Sequence, residues 1–175
     1  MAKMPQQMEE EDDERPDFED VYNIPVTQLQ RQPPIPQGWY MGMLEGLPEE
    51  LTSPVRGTPF AQYKVRLMDV AKDDRGKPRD VNLDELAAAL GEKQLSDRTL
   101  RLRQWRTKDS GVWHKEFLMK LGISEFNEDG SERVLPEMIA ESPGRTAWFH
   151  IKHSVAQGSD SVYLEIDRVM KIPNK

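Results

Sequence analysis

The sequence contains no cysteine. That removes disulfide bridges, thiolate metal ligands and a cysteine nucleophile, and it fits a reducing cytosol. Histidine is scarce, with three in 175 residues. His150 and His153 are three apart on a predicted strand, so they point to opposite faces. His114 falls in a predicted helix beside Glu116, ordinarily a solvated face. A zinc site or a histidine-based catalytic site is therefore not expected. No apolar run approaches the roughly 20 residues needed to cross a bilayer. The opening MAKMPQQMEEEDDERPDFED has no apolar core of a secretory signal, so neither membrane association nor export is expected.

Phosphate-cradling glycine motifs are missing, both GxxxxGKS or GxxxxGKT and GxGxxG, and so is the GxSxG nucleophile turn. No carboxylate pair stands alone in an apolar setting that would tune it for acid–base work. Asp73 and Asp74 are the nearest approach to a nuclease-type acidic cluster. They sit beside Gly76-Lys77-Pro78, where an exposed turn explains them. The expectation is a protein without enzymatic activity, cofactor or metal.

The formal charge is −7, from 24 Lys+Arg against 31 Asp+Glu. Taken whole, that argues against a polyanionic ligand. Resolved along the chain it does not, because residues 1–30 hold nine acids and two bases, leaving 22 of each sign for residues 31–175. Six consecutive acids, Glu9 to Glu14, cannot bury enough surface to offset the entropy of ordering, so residues 1–20 are expected to be a disordered tail. Residues 21–37 (VYNIPVTQLQRQPPIPQ) combine apolar residues with Pro25, Pro33, Pro34 and Pro36. That density favours an extended polyproline geometry, as a stiff linker or as a docking peptide, YNIPVTQL, for a partner's sheet edge or groove.

From Gly38 the pattern becomes that of strands. Trp39–Gly46 is aromatic and apolar, and Pro48 stops it. Ala61, Tyr63, Val65 and Leu67 then alternate with Phe60, Gln62, Lys64 and Arg66, the period of a half-buried strand. Asn82 or Asp84 is placed to cap a short helix that Gly91 ends. A third strand is expected over about Leu95 to Thr107. A second helix follows Asp109 or Ser110, with Trp113, Phe117, Leu118 and Leu121 at helical spacing and Gly122 as its stop. Residues 135–140 suit one or two helical turns. Thr146–Lys152 and Val162–Asp167 alternate as two further strands about a turn at Gln157–Asp160. Strand, strand, small helix, strand, helix, strand, strand is the order of the OB-fold, a five-stranded barrel, so the expected fold is mainly β, an OB-fold-like domain over residues 38–173.

One constellation carries chemistry. Arg98, Arg101, Arg103, Arg106 and Lys108 lie in a stretch without a single acid. Arg101, Arg103 and Trp105 share one face of the third strand, Phe60, Lys64 and Arg66 the non-core face of the second, and Trp148 and Lys152 that of the fourth. Bases neutralise phosphates while aromatic rings stack on unpaired bases, which is how single strands are held without sequence readout. These eight residues are the candidate nucleic-acid contacts, and the acidic tail is a tethered polyanion able to compete for them.

The strings GWYMGMLEGLPEELTSPVRGTPFAQYKVRLMDV, LSDRTLRLRQW, WHKEFLMKLGI and LPEMIAESPGRTAWFHIKH resemble a loosely characterised group of bacteriophage proteins found among replication and recombination functions. The resemblance covers about Gly38 to Ile172. It implies an OB-fold single-stranded DNA-binding protein, working in the infected bacterial cytoplasm and often oligomeric, with replication or recombination proteins as partners of its N-terminal segment. Many single-strand binders carry their acidic segment at the C-terminus, whereas here it is N-terminal. The competing expectation is a protein-interaction module (adaptor, host-factor inhibitor or minor structural protein) that recruits through residues 21–36.

Overall fold

The period-two stretches fold as read, into strands with one apolar face. The computed structural model describes residues 32–155, 158 and 162–173. Among the described residues the strands are β1 (Gly38–Leu44), β2 (Glu49–Thr52), β3 (Pro59–Val70), β4 (Thr99–Trp105), β5 (Thr146–Val155) and β6 (Val162–Met170), and the helices α1 (Leu83–Leu90), α2 (Gly111–Lys120) and α3 (Leu135–Ala140), with a 3-10 turn at Leu95–Asp97. The acidic tail, the docking peptide and most of the turn expected at Gln157–Asp160 lie outside the described residues.

The six strands form one antiparallel sheet. On β3, Val65 pairs with both Leu44 and Leu100, and Ala61 with both Glu50 and Gln104. Hence β1 and β2 lie end to end along one edge of β3, and β4 takes the other. The sheet is five strands wide in the order β4-β3-β1-β5-β6, and β1 and β2 act as one interrupted strand. The interruption is local: Gly46 has φ of +70°, Pro48 supplies no N–H, and Glu45 N–H still reaches Lys64 O at 2.9 Å. The expected first strand ends at Leu44, and Glu49–Thr52, beyond Pro48 and not expected as a strand, raises the count from five to six. Among the described residues no ladder joins β4 to β6, so the sheet is not a closed barrel.

Alternation fixes the core. Tyr40 and Leu44 of β1, Ala61, Tyr63, Val65 and Leu67 of β3, and Ala147, Phe149 and Ile151 of β5 are buried on the inner face. Gly42 has no side chain because there is no room for one. A Cβ there would lie 2.6 Å from Val65 Cγ1 and 2.8 Å from Phe149 Cδ2. Asn82 caps α1, its Oδ1 accepting from the amides of Asp84 and Glu85 at 3.0 and 3.1 Å. Gly91 ends that helix at φ +59°, as expected.

Helix α2 packs against β4, β6 and α3. Its buried stripe is His114, Phe117 and Leu118, continued by Leu121 just beyond its end. That is the i, i+3, i+4, i+7 pattern of an inward face, with a histidine in first place. Trp113, one position out of phase, is 65% exposed, so the solvated position expected for His114 belongs to the tryptophan instead.

The chain divides after Gln32, and residues 33–175 form one compact unit. Its first residues are held by named contacts. Ile35 is fully buried, and its carbonyl is 2.6 Å from His153 Nε2. Pro36 O accepts from Tyr40 Oη at 2.6 Å, and Pro33 O from Arg98 Nη2 at 2.9 Å. Residues 33–36 of the Pro-rich segment thus belong to the packed unit.

Candidate nucleic-acid interface

The β3–β4 ladder sets Phe60 opposite Trp105, Gln62 opposite Arg103, Lys64 opposite Arg101 and Arg66 opposite Thr99. All eight residues leave the sheet on its outer face, since their neighbours along each strand turn inward. Directly opposed side chains start roughly 5 Å apart, so the two rows make one surface. Six of the residues singled out from the sequence are brought together here: Phe60, Lys64, Arg66, Arg101, Arg103 and Trp105.

Their roles are not equal. Phe60 is 5% exposed, and its ring is covered by Trp105, with centroids 5.0 Å apart, and by the Arg103 guanidinium at 4.9 Å. Phe60 is therefore a base plate, and Trp105, 40% exposed, is the ring that meets solvent. Trp105 is also fixed from behind, because Ser110 Oγ donates to its carbonyl at 2.7 Å and accepts from Thr107 N–H at 2.9 Å. Ser110 stands at the N-cap position of α2, yet this hydroxyl ties β4 to the helix instead of capping it.

Lys64 and Arg66 share the Glu45 carboxylate, Lys64 Nζ at 3.4 Å and Arg66 through its Nε. Arg66 Nη1 also donates to Ser96 O at 2.6 Å. Burial tends to raise the Glu45 pKa, but the hydrogen bond and charge of Arg66, with the charge of Lys64, outweigh it and hold the carboxyl below its ordinary range. Register places Glu49 on this face too, opposite Gln62. The surface therefore has four bases, Lys64, Arg66, Arg101 and Arg103, against two carboxylates, a formally positive balance.

Trp148 and Lys152 do not join this surface. Both lie on the outer face of β5, with β1 between them and β3. Trp148 is 8% exposed and packs with Trp39 and Ala71 in a second, smaller cluster. The Arg79 guanidinium covers its ring at 4.9 Å, and Arg168 covers Trp39 at 5.2 Å. The face of Trp148 was legible from alternation, but not that the loop carrying Arg79 folds over it. Lys152 is paired with Glu165 at 3.6 Å. Arg98, counted in the basic stretch, is 9% exposed and donates to Pro33 O and Ala89 O, a structural anchor whose pKa burial lowers.

One feature escaped the sequence. Where β4 ends and α2 begins, a cavity of about 260 Å³ is lined by Trp105, Arg106, Gly111, His114, Leu135 and Ile139. His114 is fully buried, with Nε2 at 2.6 Å from Tyr63 Oη. Burial and the charge of Arg106 push the His114 pKa down to about 4, so the ring is neutral near pH 7. Burial also raises the Tyr63 pKa, and since Tyr63 Oη has no other hydrogen-bond partner among the described residues, its proton goes to Nε2. The neutral ring then carries its own proton on Nδ1, which has no partner among the described residues. The same holds for Arg106 Nε, while Arg106 Nη2 pairs with Glu50 at 2.7 Å. Two buried N–H donors thus belong to residues that line one cavity.

No protein-family model matches the chain, and no curated protein is similar to it in sequence. Among the described residues no helix is long and apolar enough to cross a membrane.

Proposed function

We propose that this protein binds single-stranded DNA without altering it chemically, along the outer face of β3 and β4. The observation that carries this reading is the ladder that sets Arg101, Arg103 and Trp105 beside Phe60 and Lys64 as one basic, aromatic surface with Trp105 open to solvent. The guanidinium groups meet phosphates, and Trp105 offers a flat ring to an unpaired base. Such stacking is sequence-tolerant, because every base has a π-face.

The fold is consistent with that use. Counting β1 and β2 as one interrupted strand, the order β4-β3-β1-β5-β6 with α2 between β4 and β5 supports an OB-fold reading. The outermost strands, β4 and β6, come within 8 Å of each other, and α2 touches both. The resemblance to phage replication and recombination proteins points the same way, toward a role on phage DNA in the host cytoplasm.

The test is a titration of fluorescein-labelled oligo-dT with the full chain at rising salt. Binding is expected, with log K falling linearly against log salt. Replacing both Arg101 and Arg103 with Ala should lower that slope by about 1.4, at roughly 0.7 per phosphate contact on a single strand. No binding by the wild type, or an unchanged slope in the double variant, would overturn the reading.

A further inference from the structure

Among the described residues no ladder joins β4 to β6, and an open cleft of about 500 Å³ occupies the seam between these strands and α2. Gln104, the neighbour of Trp105 in β4, lines it together with Arg168 and Met170 of β6 and with Trp39, Trp113 and Phe117. Trp113 is 65% exposed, so its ring is open to solvent as that of Trp105 is, and as those of Trp39 and Trp148 are not. Two bases line the cleft, Lys120 and Arg168, against two acids, Glu116 and Asp167. Lys120 makes no ion pair among the described residues. Asp167 gives one oxygen to His150 Nδ1 at 2.6 Å, and its other oxygen is 4.0 Å from Arg168 Nε. A third base, Arg79, stands over the Trp39 ring at 5.6 Å, as Arg168 does at 5.2 Å. Its one hydrogen bond among the described residues goes to the Met170 thioether at 3.6 Å, a weak acceptor. Two guanidinium groups are thus held on one ring while most of their N–H donors have no acceptor.

We infer that the seam cleft is a second contact for the same single strand, with one unpaired base stacked on Trp113 and a neighbouring phosphate held by Arg168. This rests on the single-strand reading above and extends it from one face to a path. Leaving Trp105, the strand rounds the free edge of β4 at Gln104 and enters the cleft between α2 and β6. The cleft lies within the range of about 300–1,000 Å³ typical of small-ligand sites, enough for one nucleotide. Arg168 is suited to the phosphate by its planar fork of donors, and its side chain is 61% exposed. Because Trp39 already holds the guanidinium, little further ordering is needed when the phosphate arrives. A phosphate there also relieves the repulsion between Arg168 and Arg79 over one ring. A strand too short to reach from Trp105 into the cleft gains nothing from it.

The experiment uses the full chain with oligo-dT of about 4 and about 16 nucleotides, the two ends of the site sizes found for one such fold. Both substitutions fall on exposed side chains, which separates their effects from unfolding. Trp113→Ala should weaken the long oligonucleotide by about fivefold or more, the loss of one stacked base. The short one, held at Trp105, should bind as before. Arg168→Gln should lower the salt slope for the long oligonucleotide by about 0.7, one phosphate on a single strand, and leave the slope for the short one in place. If either variant binds the long oligonucleotide as wild type does, while Arg101→Ala with Arg103→Ala still lowers its slope, the seam contact is overturned and the β3–β4 reading stands. Losses of equal size at both lengths would overturn it as well, since the short strand does not reach the cleft. If wild type binds neither length, the underlying reading fails and the seam contact fails with it.

Discussion

Tyr63 and His114, 51 positions apart in the chain, share a buried hydrogen bond of 2.6 Å that joins the middle of β3 to the first turn of α2. His114 lies in the core stripe of the helix, so its titration is coupled to folding. The folded ring protonates near pH 4, against an ordinary 6.5. Between those values the unfolded chain takes up a proton at this site and the folded chain does not. Stability from this ring is full above pH 6.5, declines as pH falls, and is exhausted below about 4. At about 1.4 kcal/mol per pKa unit the loss is on the order of 3 kcal/mol. Urea unfolding at a series of pH values should show this slope in wild type and a shallower one in His114→Phe. Parallel curves would mean that the ring titrates normally.

Trp105 and Trp148 have the same side chain on the same kind of outer strand face, but opposite tasks. Trp105→Ala should lower oligo-dT affinity by about fivefold to 150-fold, the worth of one stacked base at 1–3 kcal/mol. Its effect on stability should be small, because the ring is 40% exposed. Trp148→Ala empties a packed cluster beneath Arg79 and should cost about 3–5 kcal/mol of folding stability. Thermal unfolding and anisotropy on both variants decide the matter; a large affinity loss in a fully stable Trp148→Ala protein would contradict the assignment.

How far these roles were legible from sequence depends on what kind of contact set them. Alternation reports which side of a strand a residue takes, so the faces of Lys64 on β3 and Arg101 on β4 were legible, whereas their pairing opposite each other is a matter of register that alternation does not fix. It cannot report what covers that side. Trp148 was therefore placed on the right face with its burial unseen, since Arg79 reaches it from a loop about 70 residues away. His114 was readable in principle: positions 114, 117, 118 and 121 make a better inward stripe than one beginning at Trp113. Hydrophobicity alone favoured the tryptophan. The break between β1 and β2 was half visible in Gly46 and Pro48. That Glu49–Thr52 then resumes pairing on the same edge depends on β3, not on its own four residues.

Two glycines offer a stability contrast. Gly42→Ala would drive a Cβ to 2.6 Å from Val65 and 2.8 Å from Phe149, both in the core. Overpacking of this kind costs about 1–3 kcal/mol, and the bulge between Met41 and Gly42 leaves the strand no simple way to relax. Gly111→Ala meets open space in a helical residue and should be neutral or stabilising by up to about 1 kcal/mol. Denaturant midpoints of the two variants should move in opposite directions or differ by at least the first figure. Equal midpoints would show that β1 yields more readily than its packing implies.

The acidic segment gives the last prediction, and it turns on charge alone. Residues 9–14 carry six of the nine acids in the first 30 positions, while residues 31–175 are balanced at 22 of each sign. On the proposed single-strand reading, a polyanion carried on the same chain should compete with nucleic acid at an effective concentration set by the linker, in the millimolar range for short flexible ones. Replacing Glu9, Glu10, Glu11 and Glu14 with Gln, and Asp12 and Asp13 with Asn, removes that competitor without altering chain length. Oligo-dT affinity should then rise most at low salt, where unscreened charges act over a Debye length of about 30 Å, and converge with wild type at high salt, where it falls to about 3 Å. Anisotropy titrations of both proteins across salt supply the comparison. Identical curves would show that the segment does not compete for the face and would leave it a role in recruiting another protein.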